Sequence, residues 1–285
     1  MNILHILSQE FLTGAETYAV LLGNFFTKQG NLLFYTSDKM HRNIEGKFYP
    51  LPIHRNNKSL FGRIKNIIRL IFLIKKEGIE ICHTHSRAGS FLAYFACKFC
   101  RIPYVTTVHG MLPVHFSSKI FPCFGRIVIA PSKIIKDHLI NEFGINEKRI
   151  RVIPHPIEVK TQEQEARDKT PLEIAYISRM NGPKADCALL AIESMPKVLS
   201  SIPKTRLLIV GDGKRSKEVK EALERINKVM GEVITFIGWQ DSITEIIASS
   251  EIIIGSGYVG LEALLLEKPL ICFGEARLGG LFKEK

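Results

Sequence analysis

Two cations and a run of glycines mark where this sequence could hold an anion. Gly255-Ser-Gly-Tyr-Val-Gly260 is a G-x-G-x-x-G that follows the apolar run Ile252-Ile-Ile and opens a helical segment. Glycines so placed let a backbone approach a pyrophosphate closely, and the N–H groups of a helix N-terminus bind it. A further apolar run, 269–273, and Glu275 follow, nearly completing a dinucleotide fingerprint. Such a fingerprint normally opens a sheet, and only 25 residues remain after Gly260. An NAD-dependent oxidoreductase, a sugar-nucleotide enzyme and a purely structural turn all remain open at this point. Arg179 and Lys184 lie in Ser-Arg-Met-Asn-Gly-Pro-Lys-Ala-Asp, directly after another apolar run. The Gly182-Pro183 turn could swing Lys184 back toward Arg179. Two cations there suit a diphosphate leaving group, whose charge builds as its bond breaks. Either cation alone reads better as a solvated surface group.

Three histidines, His83, His85 and His109, fall at or next to expected strand ends. They suggest a metal, but no acid accompanies them at ligand spacing, and no D-x-D occurs in the chain. The expectation is therefore no metal, with His109 a hydrogen bonder on the substrate side. Cys97 and Cys100 form a lone C-x-x-C without a second pair, which reads as two thiols on a helix. No serine nucleophile elbow, P-loop or Cys/His dyad is visible. Glu16, Asp212 and Glu262 are the carboxylates near strand ends. Glu262 falls in the first turn of its expected helix, where it could complement the helix dipole.

The elements that must position these residues are short apolar runs alternating with helix-period segments. Strands are expected at 2–7, 31–36, 79–84, 103–108, 126–130 and 150–153, then at 172–177, 205–210, 232–237, 251–254 and 269–273. Helices are expected at 15–29, 60–77, 88–100, 132–143, 185–201, 214–230, 241–249 and 260–267. Strands buried on both faces and separated by helices imply α/β architecture with doubly wound parallel sheets. The polar stretch 158–171 divides two Rossmann-like lobes, 1–157 and 172–285. Ligands of such sheets bind beyond the carboxyl ends of the strands, so a cleft between lobes would be lined by the loops singled out above.

The net charge of +11 is uneven. Residues 1–157 hold 21 Lys and Arg against 9 Asp and Glu; residues 158–285 hold 18 against 19. The basic first half suggests an anionic partner, with a plain solubility charge as the alternative. Within it, Lys58, Lys65, Arg69 and Lys76 form one helical stripe near Phe61 and Phe72, with Ile64, Ile67, Ile68 and Ile71 expected on the packing side. That segment could rest on an anionic membrane surface or simply solvate its lysines. No apolar run approaches the roughly 18–20 residues of a membrane span, and the N-terminus lacks the basic start of a signal peptide. The chain reads as cytoplasmic, with a peripheral position on the inner face of the cytoplasmic membrane as the variant, and no nucleic acid is expected.

Along almost its whole length the chain resembles the retaining glycosyltransferases of family 4, of the GT-B fold. Asn2-Ile-Leu-His-Ile-Leu with Thr13-Gly-Ala-Glu-Thr-Tyr is similar to the family's opening strand and G-G-A-E-x-Y loop, Thr13 replacing the first glycine. Glu80-Ile-Cys-His-Thr-His-Ser, Val108-His-Gly and Val152-Ile-Pro-His-Pro-Ile resemble later motifs of the N-terminal lobe. Ile177-Ser-Arg with Pro183-Lys resembles the pair that holds the donor diphosphate, and Leu208-Ile-Val-Gly-Asp-Gly and Leu261-Glu-Ala-Leu-Leu-Leu-Glu-Lys-Pro complete the donor side. Many members carry two glutamates eight residues apart. Glu262 matches the second, but Ile254 stands at the first. The resemblance also implies a C-terminal lobe that stops short of its last elements.

What the resemblance implies is transfer of a hexose or N-acetylhexosamine from a UDP- or GDP-sugar to a glycan or polyprenyl-linked acceptor, in envelope polysaccharide or lipopolysaccharide synthesis, with retention and no cofactor. Arg179 and Lys184 would neutralise the diphosphate, Glu262 would hold the ribose, and His109 would meet the donor sugar or acceptor. The Gly14, Ala15 and Glu16 loop would close on the phosphates, which the backbone of Gly255 to Gly260 would approach. His85, Gly211, Gly257 and Tyr258 would join them at the substrates. A non-catalytic sugar-nucleotide-binding remnant is the remaining alternative.

Overall fold

The structure is a computed structural model that describes residues 1–8, 13–39, 44–53, 59–115, 119, 121–157, 171–240, 242–273 and 278–282. The polar stretch expected as a linker, Lys58 and Glu275 lie outside the described residues, apart from Pro171. The chain divides into two compact units, Met1–Pro156 and Ile157–Lys285.

The first unit alternates strands β1 (Asn2–Ile6), β2 (Leu32–Ser37), β3 (Lys47–Pro50), β4 (Ile81–Thr84), β5 (Tyr104–Thr107), β6 (Ile127–Ala130) and β7 (Ile150–Val152) with helices α1 (Gly14–Lys28), α2 (Leu60–Lys76), α3 (Arg87–Cys100) and α4 (Lys133–Phe143). Its sheet runs β3-β2-β1-β4-β5-β6-β7, parallel throughout. Strand alternation sorts the core. Leu4, Ile6 and Phe34 pack with Leu70, Ile74, Leu92 and Ala96 of α2 and α3. Ile3, Leu33 and Tyr35 point the other way, onto Ala19 of α1. Serines start three of the helices: the hydroxyls of Ser59, Ser86 and Ser132 accept from the N–H groups of Gly62, Gly89 and Ile135 at 2.9, 3.0 and 3.4 Å. Such a cap is worth about 1 kcal/mol.

The second unit comprises β8 (Glu173–Ile177), α5 (Pro183–Ser201), β9 (Arg206–Val210), α6 (Ser216–Met230), β10 (Ile234–Gly238), α7 (Thr244–Ser249), β11 (Ile252–Gly255), α8 (Tyr258–Leu265), β12 (Leu270–Phe273) and β13 (Leu278–Leu281). Its sheet runs β10-β9-β8-β11-β12-β13, parallel except for the antiparallel edge strand β13. Both sheets thus repeat the doubly wound order, which reverses between β1 and β4 and again between β8 and β11. The crevice at such a reversal is where ligands of these sheets bind.

Two expected faces are corrected. On α2 the buried side is Gly62, Asn66, Leu70 and Ile74. Ile67 and Ile71 pack on the core as expected, whereas Ile64 and Ile68 are 48% exposed, alongside Phe61 at 78% and Phe72 at 70%. Buried Asn66 donates to the Pro52 carbonyl at 3.0 Å, which fixes the rotation of the helix. The second correction concerns α8. It begins at Tyr258, two residues earlier than expected, so Glu262 sits in the second turn and has no first-turn role against the helix dipole.

Candidate functional site

In the second unit, the loops after β8 and β9 are laced together. The Met180 N–H donates to the Asp212 carbonyl at 3.0 Å, and the Arg215 N–H donates to the Met180 carbonyl at 3.0 Å. Asn181 Oδ1 accepts the Lys214 N–H at 2.8 Å. This proximity demands glycine. Gly211 has φ +124, and a Cβ there would lie 1.9 Å from the Ser178 carbonyl oxygen; one at Gly213 would lie 2.5 Å from that of Met180. The Arg215 guanidinium clamps the two helix starts, donating to Asp186 at 2.5 Å and to Glu218 at 2.7 and 2.8 Å. Asp212 accepts from the Ser216 hydroxyl and from the Gly213 N–H, which holds its carboxyl below the usual range. It is occupied in forming the loop.

The consequence is a rigid shelf from which Arg179 projects. Met180 beside it is fully buried, whereas Arg179 is exposed. Lys184 follows Pro183 in the first turn of α5, half-buried. The Tyr176 hydroxyl donates to the Lys184 carbonyl, and its ring stacks on Phe273 at 5.4 Å. Arg179 thus lies in the loop after β8, and Lys184 in the first turn of the helix that follows it.

Beside β8, strand β11 ends in Gly255 and turns into α8 through Gly257, whose φ of +62 makes it the N-cap. The glycines differ in purpose. A Cβ on Gly255 would lie 2.5 Å from the Val259 side chain, and one on Gly260 would lie 3.3 Å from Leu270. Gly260 thus serves helix–strand packing, and Tyr258 is half-buried at the first helical position. Glu262 faces Thr244, whose hydroxyl donates to it at 3.4 Å, and burial raises its pKa. The G-x-G-x-x-G follows the fourth strand of its unit, not the first, unlike the usual dinucleotide fingerprint.

In the first unit, Thr13 and Glu16 close a capping box at the start of α1, the Thr13 N–H donating to Glu16 Oε2 at 3.2 Å. Glu16 is 1% exposed. Its carboxylate helps organise the loop, and Gly14 and Ala15 hold partly exposed first-turn positions. His85 is placed deeper. It is buried, and both ring nitrogens are engaged, Nε2 by His5 Nδ1 at 2.9 Å and Nδ1 by His109 Nε2 at 3.2 Å. His109 lies farther out, stacked on His155 at 5.1 Å with Tyr18 against both rings. Burial, with the charges of His155 and His83 behind it, pushes His109 down to about 3, so it acts as a neutral imidazole. Sequence reasoning did not single out His5 or His155. For His5 the signal lay in the cross-strand register with His83, whereas His155 lies past the last strand of its sheet.

Among the described residues no helix is long and apolar enough to cross a membrane. The sequence pattern described as Glycosyl transferases group 1 matches residues 171–280. The UDP-Gal:alpha-D-GlcNAc-diphosphoundecaprenol alpha-1,3-galactosyltransferase of Escherichia coli is 24% identical over 247 residues, which are 76% of this chain and 62% of that protein. The chain thus spans less than two thirds of that relative's length. A glycosyltransferase from Rickettsia africae ESF-5 shares the fold with a TM-score of 0.70 and 21% identity, covering 95% of this chain and 78% of that one. The Anabaena protein HepE, solved with UDP and glucose, has a TM-score of 0.73 at 16% identity, covering 95% and 80%. The pattern of Glycosyltransferase Family 4 matches residues 12–161, more than half of the sequence, and with two Rossmann-like lobes of the GT-B class the chain belongs to that family.

Proposed function

We propose that the chain transfers a hexose or N-acetylhexosamine from a UDP- or GDP-sugar to a glycan or polyprenyl-linked acceptor of the cell envelope, as in polysaccharide or lipopolysaccharide synthesis. The observation that carries this reading is the pinned shelf bearing Arg179 and Lys184 at the reversal point of the second sheet. A diphosphate leaving group gains charge as the bond from its oxygen to the anomeric carbon breaks. Fixed cations stabilise that charge without reorganising. The acceptor hydroxyl forms the new bond to the same carbon, on the face that retains configuration, and its proton passes to the departing diphosphate oxygen. Arg179 and Lys184 do here what a metal would do elsewhere, so no cofactor is needed at the diphosphate.

The other roles follow the geometry. Gly211, Gly255 and Gly257 keep side chains away from the phosphates, and Tyr258 borders that turn. Glu262, a carboxylate whose burial favours its protonated form, gains hydrogen bonds from ribose hydroxyls. Neutral His109 meets the donor sugar or acceptor, positioned by His85 behind it. Gly14 and Ala15 offer first-turn N–H groups of α1 to an anion. The lipid-linked acceptor named in the Escherichia coli relative supports a polyprenyl acceptor here.

A peripheral place on the inner face of the cytoplasmic membrane fits the outward face of α2. There Phe61, Ile64, Ile68 and Phe72 are exposed among Lys65, Arg69, Lys75 and Lys76. Apolar side chains flanked by cations suit an anionic bilayer surface.

The test is calorimetric titration of the purified chain with UDP-glucose, UDP-galactose, UDP-N-acetylglucosamine, GDP-mannose and NADH, followed by transfer assays on a diphosphoundecaprenol-linked N-acetylglucosamine. Binding of a sugar nucleotide with turnover is expected. Binding of NADH alone would refute the reading, and sugar-nucleotide binding without hydrolysis or transfer would leave a binding remnant.

A further inference from the structure

The buried imidazoles of the first unit are arranged for more than packing. Strands β1 and β4 pair with His5 opposite His83, and alternation turns both toward α1. His85, just past the strand, joins them. The three are 0%, 7% and 5% exposed, and one ring nitrogen from each lies within 4.8 Å of the others. We propose that His5, His83 and His85 bind a zinc-type divalent transition metal that ties β1 to β4 and to the loop following it. The site lies wholly within the first unit and does not rest on the glycosyl-transfer reading.

Two observations carry the assignment. The first is orientation from outside. His83 Nε2 is held by the Thr107 hydroxyl at 2.7 Å, leaving Nδ1 for a metal. His85 Nδ1 is held by His109 Nε2 at 3.2 Å, leaving Nε2, which already faces His5 Nδ1 at 2.9 Å. Metal-binding histidines characteristically have the second nitrogen engaged in this way. The second is an unmet polar demand. His5 Nε2 is buried without a hydrogen-bond partner among the described residues, so protein contacts alone leave this imidazole half satisfied.

The ligand chemistry narrows the ion. Three neutral imidazoles and no carboxylate suit zinc, cobalt, nickel or copper rather than magnesium or calcium. Bonds of about 2.0–2.1 Å in a tetrahedral site place ligand nitrogens about 3.4 Å apart. The widest pair, 4.8 Å at most, closes by about 1.4 Å through rotation of the rings to reach that spacing. Tyr18 packs edge-on against His83 and tilted against His85, at centroid distances of 6.3 and 5.6 Å, and shields the site on that side.

The experiment uses the full chain without an affinity tag. After dialysis against a chelator it is titrated with Co²⁺ and with Zn²⁺. The expected result is one equivalent bound, the visible ligand-field bands of tetrahedral Co²⁺, and a Tm raised by roughly 5–10 °C at zinc a hundredfold above Kd. Thr107→Val should keep the stoichiometry but weaken zinc binding about 10–100-fold. His5→Gln and His85→Gln should abolish the cobalt bands, whereas His155→Gln, outside the triad, should keep them. Absence of both bands and Tm shift in the unaltered chain overturns the proposal whether or not the variants fold. So does binding that survives His5→Gln or is lost in His155→Gln.

Discussion

Replacing Arg179 and Lys184 by alanine, singly and together, separates a binding role from a structural one. The Arg179 guanidinium is exposed and has no hydrogen bond or ion pair among the described residues. What the fold uses of this residue is its carbonyl, which accepts the Asn181 N–H at 2.9 Å and survives the substitution. Arg179→Ala should therefore change stability by no more than about 0.5 kcal/mol. Lys184 is a cation in the first turn of α5, where the helix dipole disfavours positive charge by about 0.3–1 kcal/mol. Lys184→Ala should likewise keep the Tyr176 hydrogen bond, which is made to the Lys184 carbonyl. Catalysis should respond very differently. A hydrogen bond from a cation to a charged oxygen is worth about 1.5–3 kcal/mol. Two of them come to about 3–6 kcal/mol, or roughly 10²–10⁴-fold in kcat/KM. Because the diphosphate charge grows toward the transition state, more of the loss should fall in kcat than in KM. The assay is sugar-nucleotide turnover alongside thermal unfolding of the same preparations. Near-normal turnover in the double variant would refute the reasoning. So would a large fall in Tm accompanying the loss, since the cations would then be holding the fold.

Three further outcomes are expected. Gly211→Ala combines a φ of +124 with a Cβ 1.9 Å from a backbone oxygen, and should cost roughly 2–6 kcal/mol in urea unfolding; Gly110→Ala, with nothing within 4 Å, should be neutral. Glu262 has a folded pKa above its unfolded value, so its stabilising contribution is full at pH below the unfolded pKa and is lost as pH rises through the folded one. Glu262→Gln should therefore raise Tm relative to the parent at neutral pH but not in acid, while weakening donor binding about 10-fold or more in calorimetry. Phe61→Ser with Phe72→Ser should leave Tm unchanged and reduce sedimentation with anionic vesicles roughly 10²-fold; undiminished binding would remove α2 from the membrane contact.

Much of this architecture is legible in the chain because buried parallel strands read as unbroken apolar runs. The exceptions are informative. Strand β3 is Lys-Phe-Tyr-Pro, an edge strand that ends in the proline a central strand would exclude. Strand β13 contains two glycines and pairs only with β12. The face of α2 was misread because its buried side includes Gly62 and Asn66. Hydrophobicity cannot identify a glycine chosen for close approach or an asparagine satisfied by a carbonyl 14 residues away. The early start of α8 depends on Gly257 adopting positive φ, which no pattern of apolar residues signals. His5 looked like one polar residue in an apolar strand. Its significance required the pairing of β1 with β4, 78 residues apart in register.

The two sheets share a strand order but not a chemistry, and the contrast bears on which unit holds the donor. The carboxyl edge of the first sheet is lined by His5, His83, His85 and His109, all driven toward the neutral form by burial, with Tyr18 against them. Neutral rings in an enclosed setting can hydrogen-bond hydroxyls or ligate a metal, but they bring no net charge to a diphosphate. The corresponding edge of the second sheet carries exposed Arg179, half-buried Lys184 and glycine turns that admit no side chain at Gly211 or Gly213. There Arg179 is exposed to solvent beside that turn. Yet the first 157 residues hold the whole excess of positive charge. Part of that charge lies away from the ligand edge of its sheet. Lys65, Arg69, Lys75 and Lys76 lie on the outer face of α2, where an extended anionic surface, rather than a single diphosphate, matches their spread.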